Sequence, residues 1–240
     1  VNAAARRLVL TRGAEASRPW QRRLESAGIP CLVVPLLRFT PLPVPDHVRH
    51  RRFDWIMFTS PQAVRAFAAA ELSAGDARIA SLGKGTTGAL HQIGLSASLE
   101  SWEQDGAGLA RVFCTQLEAS VSVLLPGPLR RLAEPRATLE RAGHRVTELP
   151  LYRTDPVPPE ELPADPWREG DVVLFASPSA VRAFVAAWRQ RPPCVAIGAT
   201  TAAACREHGF PTRVAARPDL EHLVQAAGLD ASTLTPTPES

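Results

Sequence analysis

No apolar run in this 240-residue sequence approaches the roughly 18 residues that cross a bilayer, so none reads as a membrane span. The start reaches basic residues and then Leu8-Val-Leu10, without the long apolar stretch or cleavage site of a secretory leader. The expectation is a cytoplasmic protein. Cysteine is scarce: Cys31, Cys114, Cys194 and Cys205 stand singly in apolar stretches, with no C-x-x-C and no paired histidines at metal spacing. They read as buried thiols rather than metal ligands or bridges. A strong charge is also missing, since the net value is +3 with 27 basic residues spread along the chain. That suits an anionic small molecule and gives no nucleic-acid footprint. The absence of G-x-x-x-x-G-K-[ST] and G-x-S-x-G disfavours nucleotide-triphosphate and serine-hydrolase chemistry. Paired acids are not obvious either, and Glu100 and Glu103, the only carboxylates near a predicted strand end, read as a solvated loop. There is one tyrosine, Tyr152.

What is present is a repeat. Phe58-Thr-Ser60-Pro61-Gln-Ala63-Val64-Arg65-Ala66-Phe67 returns 117 positions later as Phe175-Ala-Ser177-Pro178-Ser-Ala180-Val181-Arg182-Ala183-Phe184. Each copy follows a short apolar run, Trp55–Phe58 or Val172–Phe175, bounded like a buried strand. Serine followed by proline then starts a helix, because the serine oxygen accepts from an orphan N–H while proline at the first helical position loses no needed donor. The repeat extends further at an offset of 115: Gly28 with Gly143, Pro35 with Pro150, Gly83 with Gly198, Thr86 with Thr201. Two homologous α/β halves follow.

Ten strand candidates, among them 146–149 after a helix over 131–142 that stops at Gly143, alternate with helices, which predicts two flavodoxin-like domains, each a five-stranded parallel sheet with helices on both faces. Prolines 41, 43 and 45 make residues 38–52 a connector, and prolines 156, 158, 159, 163 and 166 make 155–166 a second one. If the chain changes domain at each, residues 1–38 plus 155–229 form a discontinuous domain and 39–154 an inserted one. Residues 230–240 read as a flexible tail. The ligand site is expected in a cleft between domains, at the carboxyl ends of the strands, with Tyr152 at its mouth.

Five strand-to-helix turns are candidates for that site. They are Thr11-Arg12-Gly13, Thr59-Ser60-Pro61, Gly83-Lys84-Gly85-Thr86, Ala176-Ser177-Pro178 and Gly198-Ala-Thr200-Thr201. Helix starts offer free N–H groups and the positive end of a dipole, a fit for carboxylate or phosphate. Taken singly, each Ser or Thr reads more simply as a cap. Their duplication is what points to a polyanionic ligand.

The paired Ser-Pro-x-Ala-Val motifs, Ala196-Ile-Gly198-Ala-Thr200-Thr201-Ala, and the late pattern Leu139-x-x-x-Gly143-x-x-Val146-x-x-Leu149-x-x-Tyr152-Arg-Thr154 together resemble the uroporphyrinogen-III synthase family over residues 6–227. The family's turn, often G-E-x-G-R, stands here as Gly127-Pro-Leu-Arg130-Arg131, matching at the first glycine and the final arginine. The resemblance implies a hydro-lyase that closes hydroxymethylbilane with inversion of the last pyrrole through a spiro intermediate, without metal or organic cofactor. It implies Tyr152 as proton donor, and Arg12, Ser60, Pro61, Gly83, Thr86, Gly127, Arg131, Ser177, Gly198, Thr200 and Thr201 around the substrate's carboxylates. The partners expected are this substrate and, transiently, the preceding pathway enzyme, with the chain acting as a monomer. A two-lobed binding or sensor protein for an anionic small molecule is the alternative.

Overall fold

The computed structural model describes residues 6–103, 105–117 and 119–234. In chain order the elements are β1 (Leu8–Leu10), α1 (Ala14–Ser26), β2 (Cys31–Val33), β3 (Leu37–Pro41), α2 (Asp46–Arg49), β4 (Trp55–Phe58) and α3 (Pro61–Ala69). Next come β5 (Arg78–Leu82), α4 (Gly83–Gln92), β6 (Leu99–Ser101), α5 (Gly106–Gln116), β7 (Ser122–Pro128), α6 (Arg136–Arg141) and β8 (Arg145–Pro156). After a 3-10 turn, β9 (Val172–Phe175), α7 (Pro178–Ala187), β10 (Cys194–Ala196), α8 (Ala199–Glu207), β11 (Thr212–Val214) and α9 (Leu220–Ala226) complete the chain.

Two compact units result: residues through Arg38 with those from Asp155 onward, and Phe39–Thr154. The first holds a sheet of order β11-β10-β9-β1-β2, parallel throughout. The second is ordered β3-β8-β7-β4-β5-β6, with parallel pairing from β8 to β6.

Burial follows the strand period. In the first unit Val9, Val173 and Phe175 pack with α7 and α8, while Leu8, Leu10, Val172 and Leu174 pack with α1 and α9. In the second, Ile56 and Phe58 face α3 and α4, and Trp55 and Met57 face α5 and α6. Both faces of each sheet are therefore covered, which explains why the strands read as continuous apolar runs rather than alternating ones.

Four expectations need correction. The second sheet has six strands, because β3 forms where the prolines predicted only a connector. Pro41 is tolerated there since it ends an edge strand. The strand expected over 146–149 runs to Pro156, and Pro150 sits beside an irregularity where Gly127 pairs Pro150 but Pro128 pairs Tyr152. A bulge is one of the few places a sheet accepts proline. The helix expected over 131–142 begins only at Arg136, after Pro135. Finally, Ala231 and Leu234 of the expected tail are buried against the first unit's core, with a Leu234 N–H bond to the Ala231 carbonyl; residues 235–240 lie outside the described residues.

The four cysteines are free, Cys194 and Cys205 being buried. His144 is buried beside Phe113, its Nδ1 accepting from the Val121 N–H at 3.4 Å and its Nε2 unpartnered. Burial holds this imidazole below the ordinary histidine range. Above about pH 6.5 neither folded nor unfolded chain protonates it; below that, the unfolded chain takes the proton first, so stability is lost as pH falls. We expect His144→Leu to flatten the drop in urea midpoint between pH 7 and pH 5.

Candidate functional site

The two serines of the repeat occupy matching positions. Ser60 (φ −160°, ψ 152°) accepts the Ala63 N–H on Oγ at 3.2 Å, and Ser177 (φ −163°, ψ 155°) accepts the Ala180 N–H at the same distance. Pro61 and Pro178 each open the helix behind them. Both serines are thus caps, each with a hydroxyl hydrogen left to donate. Ser177→Ala is expected to cost the first unit about 1 kcal/mol in urea unfolding, the usual worth of such a cap.

Ser60 belongs to a cluster at the carboxyl ends of β4 and β7, beside the interior of β8. Tyr152 is 5% exposed and meets the Phe39 ring edge-on at 5.4 Å. It lies inside β8 rather than at a strand exit, because β8 continues four residues beyond it. Burial pushes its phenol above the ordinary value, while a hydrogen bond with Ser60 and the positive charges of Arg131 and Arg65 draw it partly back. At neutral pH it is a protonated donor.

Arg131 folds back over Gly127. Its Nε donates to the Pro128 carbonyl at 3.2 Å and its Nη1 to the Leu125 carbonyl at 3.1 Å, with Glu148 3.6 Å from Nε. A Cβ at Gly127 would stand 3.3 Å from Nη2, so glycine leaves the guanidinium its room. Nη2 is buried and unpartnered. Burial lowers the pKa of this arginine, offset in part by Glu148 and Tyr152. A guanidinium N–H with no acceptor, beside a phenol, suits an incoming carboxylate.

The remaining candidates are more dispersed. Gly83 opens α4 with φ +72°, a left-handed value that glycine adopts without strain. Gly85 approaches Pro61, whose Cγ would lie 3.6 Å from an added Cβ, so the starts of α3 and α4 are in contact. Thr86 and Thr201, at equivalent places in α4 and α8, are buried at 2% and 4% exposure, while Thr200 is exposed. Gly198 precedes α8 without a side-chain cap. Arg12 stacks over Trp20 at 4.3 Å, and its carbonyl accepts from Ser17 Oγ. Glu100, expected in a solvated loop, instead lies in β6 opposite Ser81 with Oε1 buried and unpartnered.

Sequence reasoning passed over Arg65 and Phe39, both of which bear on Tyr152. Arg65 had a signal: it recurs as Arg182, and each bonds the polar side chain three residues earlier, Arg65 to Gln62 and Arg182 to Ser179. Phe39 had none, because its strand was hidden by prolines.

Known proteins share this fold. The solved uroporphyrinogen-III synthetase of Helicobacter pylori superposes with a TM-score of 0.65 at 18% identity, over 92% of this chain and 98% of that one. A mutant uroporphyrinogen III synthase from Thermus thermophilus gives 0.56 at 21%, over 92% and 96%. Both support the fold. The chloroplastic uroporphyrinogen-III synthase of Oryza sativa subsp. japonica is 31% identical over 206 residues, 78% of this chain and 68% of the rice protein. The family model described as "Uroporphyrinogen-III synthase HemD" matches residues 18–225. The chain therefore belongs to the uroporphyrinogen-III synthase HemD family.

Proposed function

We propose that this uroporphyrinogen-III synthase acts on hydroxymethylbilane through the Tyr152–Ser60–Arg131 cluster, assisted by the helix-start turns of the inserted domain. The observation that carries this reading is a protonated, buried phenol beside a guanidinium whose Nη2 has no acceptor. Tyr152 donates its proton to the terminal hydroxyl of the bilane, which leaves as water. The remaining cation is delocalised over the first pyrrole, and the last pyrrole attacks it through its substituted carbon to give the spiro intermediate. Rearrangement and closure expel a proton, which returns the phenolate to phenol.

Arg131 Nη2, the Ser60 hydroxyl and the N–H groups opening α4 are the proposed carboxylate contacts. At roughly 1.5–3 kcal/mol for each bond to a charged group, four or five cover the roughly 8 kcal/mol of micromolar binding. Holding the last ring in the inverting geometry is then the main catalytic task.

Feeding enzymatically generated hydroxymethylbilane to the protein and separating the oxidised isomers tests the reading: type III product is expected, and type I alone would reject it. Ser60→Asp refines the test. Aspartate caps as well as serine, so folding is retained, but its charge opposes a substrate carboxylate, and KM should rise about tenfold. We propose the cytoplasm as the working compartment; the rice relative is a chloroplast protein, and fractionation of the native host decides the matter.

A further inference from the structure

Of the 27 basic residues in the chain only Lys84 is a lysine; all the others are arginine. It stands in the first turn of α4, where the helix dipole is positive and a cation is disfavoured. No acidic residue in that turn and no side-chain cap offsets the charge. Lys84 forms no hydrogen bond or ion pair among the described residues. Breaches of a local rule concentrate at functional sites. The fold itself does not ask for this lysine, since Ala199 holds the equivalent place at the start of α8.

One group does stand beside the ammonium. Lys84 Nζ lies 5.3 Å from the centre of the Trp102 ring, just past the end of β6. Trp102 is 63% exposed, and it is the only exposed one of the five tryptophans. The ring's quadrupole attracts the cation and steadies the long lysine stem, yet the N–H groups stay unbonded. Most of the indole stays open too. A positive point and a flat apolar surface are thus held side by side.

The pair borders the Tyr152 cluster. Gly85, next in sequence to Lys84, adjoins Pro61 at the start of α3, and the preceding Ser60 bonds Tyr152. A pyrrole with a carboxylate arm matches both halves of the pair: the ring lies against the indole, offset or edge-on, and the arm reaches the ammonium. A guanidinium tends to take both oxygens of a carboxylate in its fork. A point charge binds one and leaves the other to the N–H groups opening α4, which suits lysine to this position. Two acids stand near Trp102 in sequence. Glu103 packs on Gly108 at the start of α5, and Glu100 has its Oε1 buried. Neither pairs with Lys84, but their negative charges weaken the pull on an anion and put the expected effect at the low end.

We infer that Lys84 and Trp102 form a specificity subsite for one carboxylate-bearing pyrrole of the bilane, which rests on the reading of the chain as a cyclase of hydroxymethylbilane. Steady-state formation of the type III isomer tests it. Lys84→Gln should raise KM about tenfold with kcat unchanged, as when a contact common to ground and transition states is lost. Lys84→Arg keeps the charge without the compact shape and should fall between the two, and added salt should narrow the gap between parent and Lys84→Gln. Trp102→Ala should raise KM several-fold, and Trp102→Phe less. Arg111→Gln makes the same charge change at an exposed position on α5 and should leave KM alone. Since Lys84 sits at the disfavoured end of its helix, Lys84→Gln should not lower the urea midpoint; a fall would give the lysine a folding role and overturn the subsite. A second readout needs no turnover. Acetylation of this single lysine by acetic anhydride, followed by peptide mass spectrometry, should be slowed by uroporphyrinogen III and not by inorganic phosphate at equal ionic strength. Equal slowing by phosphate, no slowing by uroporphyrinogen III, or a KM in Lys84→Arg as high as in Lys84→Gln overturns the subsite. So does an unchanged KM in Lys84→Gln while the parent makes type III product, an outcome that leaves the proposed function standing. Type I product alone from the parent would reject the function and the subsite with it.

Discussion

Tyr152→Phe is expected to slow formation of the type III isomer by about 10²-fold or more, with little change in KM and little change in stability. The size is that of a lost general acid. Phenylalanine keeps the ring, so the edge-on contact with Phe39 and the packing against Leu149 and Leu151 persist. Only the hydroxyl goes, and with it the bond to Ser60. A residue that mattered through packing alone would show the reverse pattern: unaltered turnover in the phenylalanine variant and loss of fold in Tyr152→Ala. The pH profile adds an independent readout. An acid whose pKa is raised by burial stays protonated to above about pH 10, so the parent rate should show no alkaline fall caused by this group below that value. An unchanged single-turnover rate in Tyr152→Phe would remove the phenol from the chemistry. Arg131 and Ser60 would then stand as binding groups alone.

Asp171→Ala is the substitution expected to damage folding most among the ionic contacts, by about 3 kcal/mol in urea unfolding followed by tryptophan fluorescence. Its side chain is 1% exposed and holds Arg7 through two bonds, Oδ1 to Nε at 2.9 Å and Oδ2 to Nη2 at 2.7 Å, while Oδ2 also accepts the Arg168 N–H at 2.9 Å. Arg7 is 17% exposed and also donates to the Pro166 carbonyl. Removing one partner of such a pair leaves the other charge uncompensated, which costs about 3–5 kcal/mol when both are buried; the partial exposure of Arg7 puts this case at the low end. The pair directly precedes β1 and β9, neighbours in the first sheet although 164 residues separate them in sequence. Replacing both partners, Arg7→Met with Asp171→Leu, should recover most of the loss. If the double variant is no better than Asp171→Ala, the cost lies in packing around the start of β9 rather than in an unpaired charge.

Much of this architecture was legible because its signals are local. The two Ser-Pro starts, the apolar runs before them and the glycines at matched offsets required only capping and strand chemistry, and the serines cap their helices as that chemistry dictates. Proline misled where it met a sheet edge or a bulge: Pro41 hid β3, and Pro150 hid the length of β8. Those errors propagated to the site. Without β3 there was no Phe39 to cover Tyr152, and without the long β8 the tyrosine was expected at a mouth rather than under cover. The fold-back of Arg131 onto Gly127 depends on carbonyls at Leu125 and Pro128, partners that no spacing rule names. Arg65 stood in plain view within the repeat, but helical periodicity cannot say which neighbouring phenol a side chain's charge will reach.

The order of strands carries one more meaning. Counted by the offset of the repeat, β1 and β2 correspond to β7 and β8, and β4, β5 and β6 to β9, β10 and β11. The sheets do not respect that division: β1 and β2 complete a sheet with β9, β10 and β11, and β7 and β8 complete one with β4, β5 and β6. Each copy has lent its opening strand pair to the other, the arrangement of a strand-exchanged dimer fused into one chain. A half-length ancestor with this topology could finish neither sheet alone and could fold only in company. For the same reason a chain severed between α5 and β7 yields two fragments that each lack part of both sheets, and activity should return only when the two are mixed.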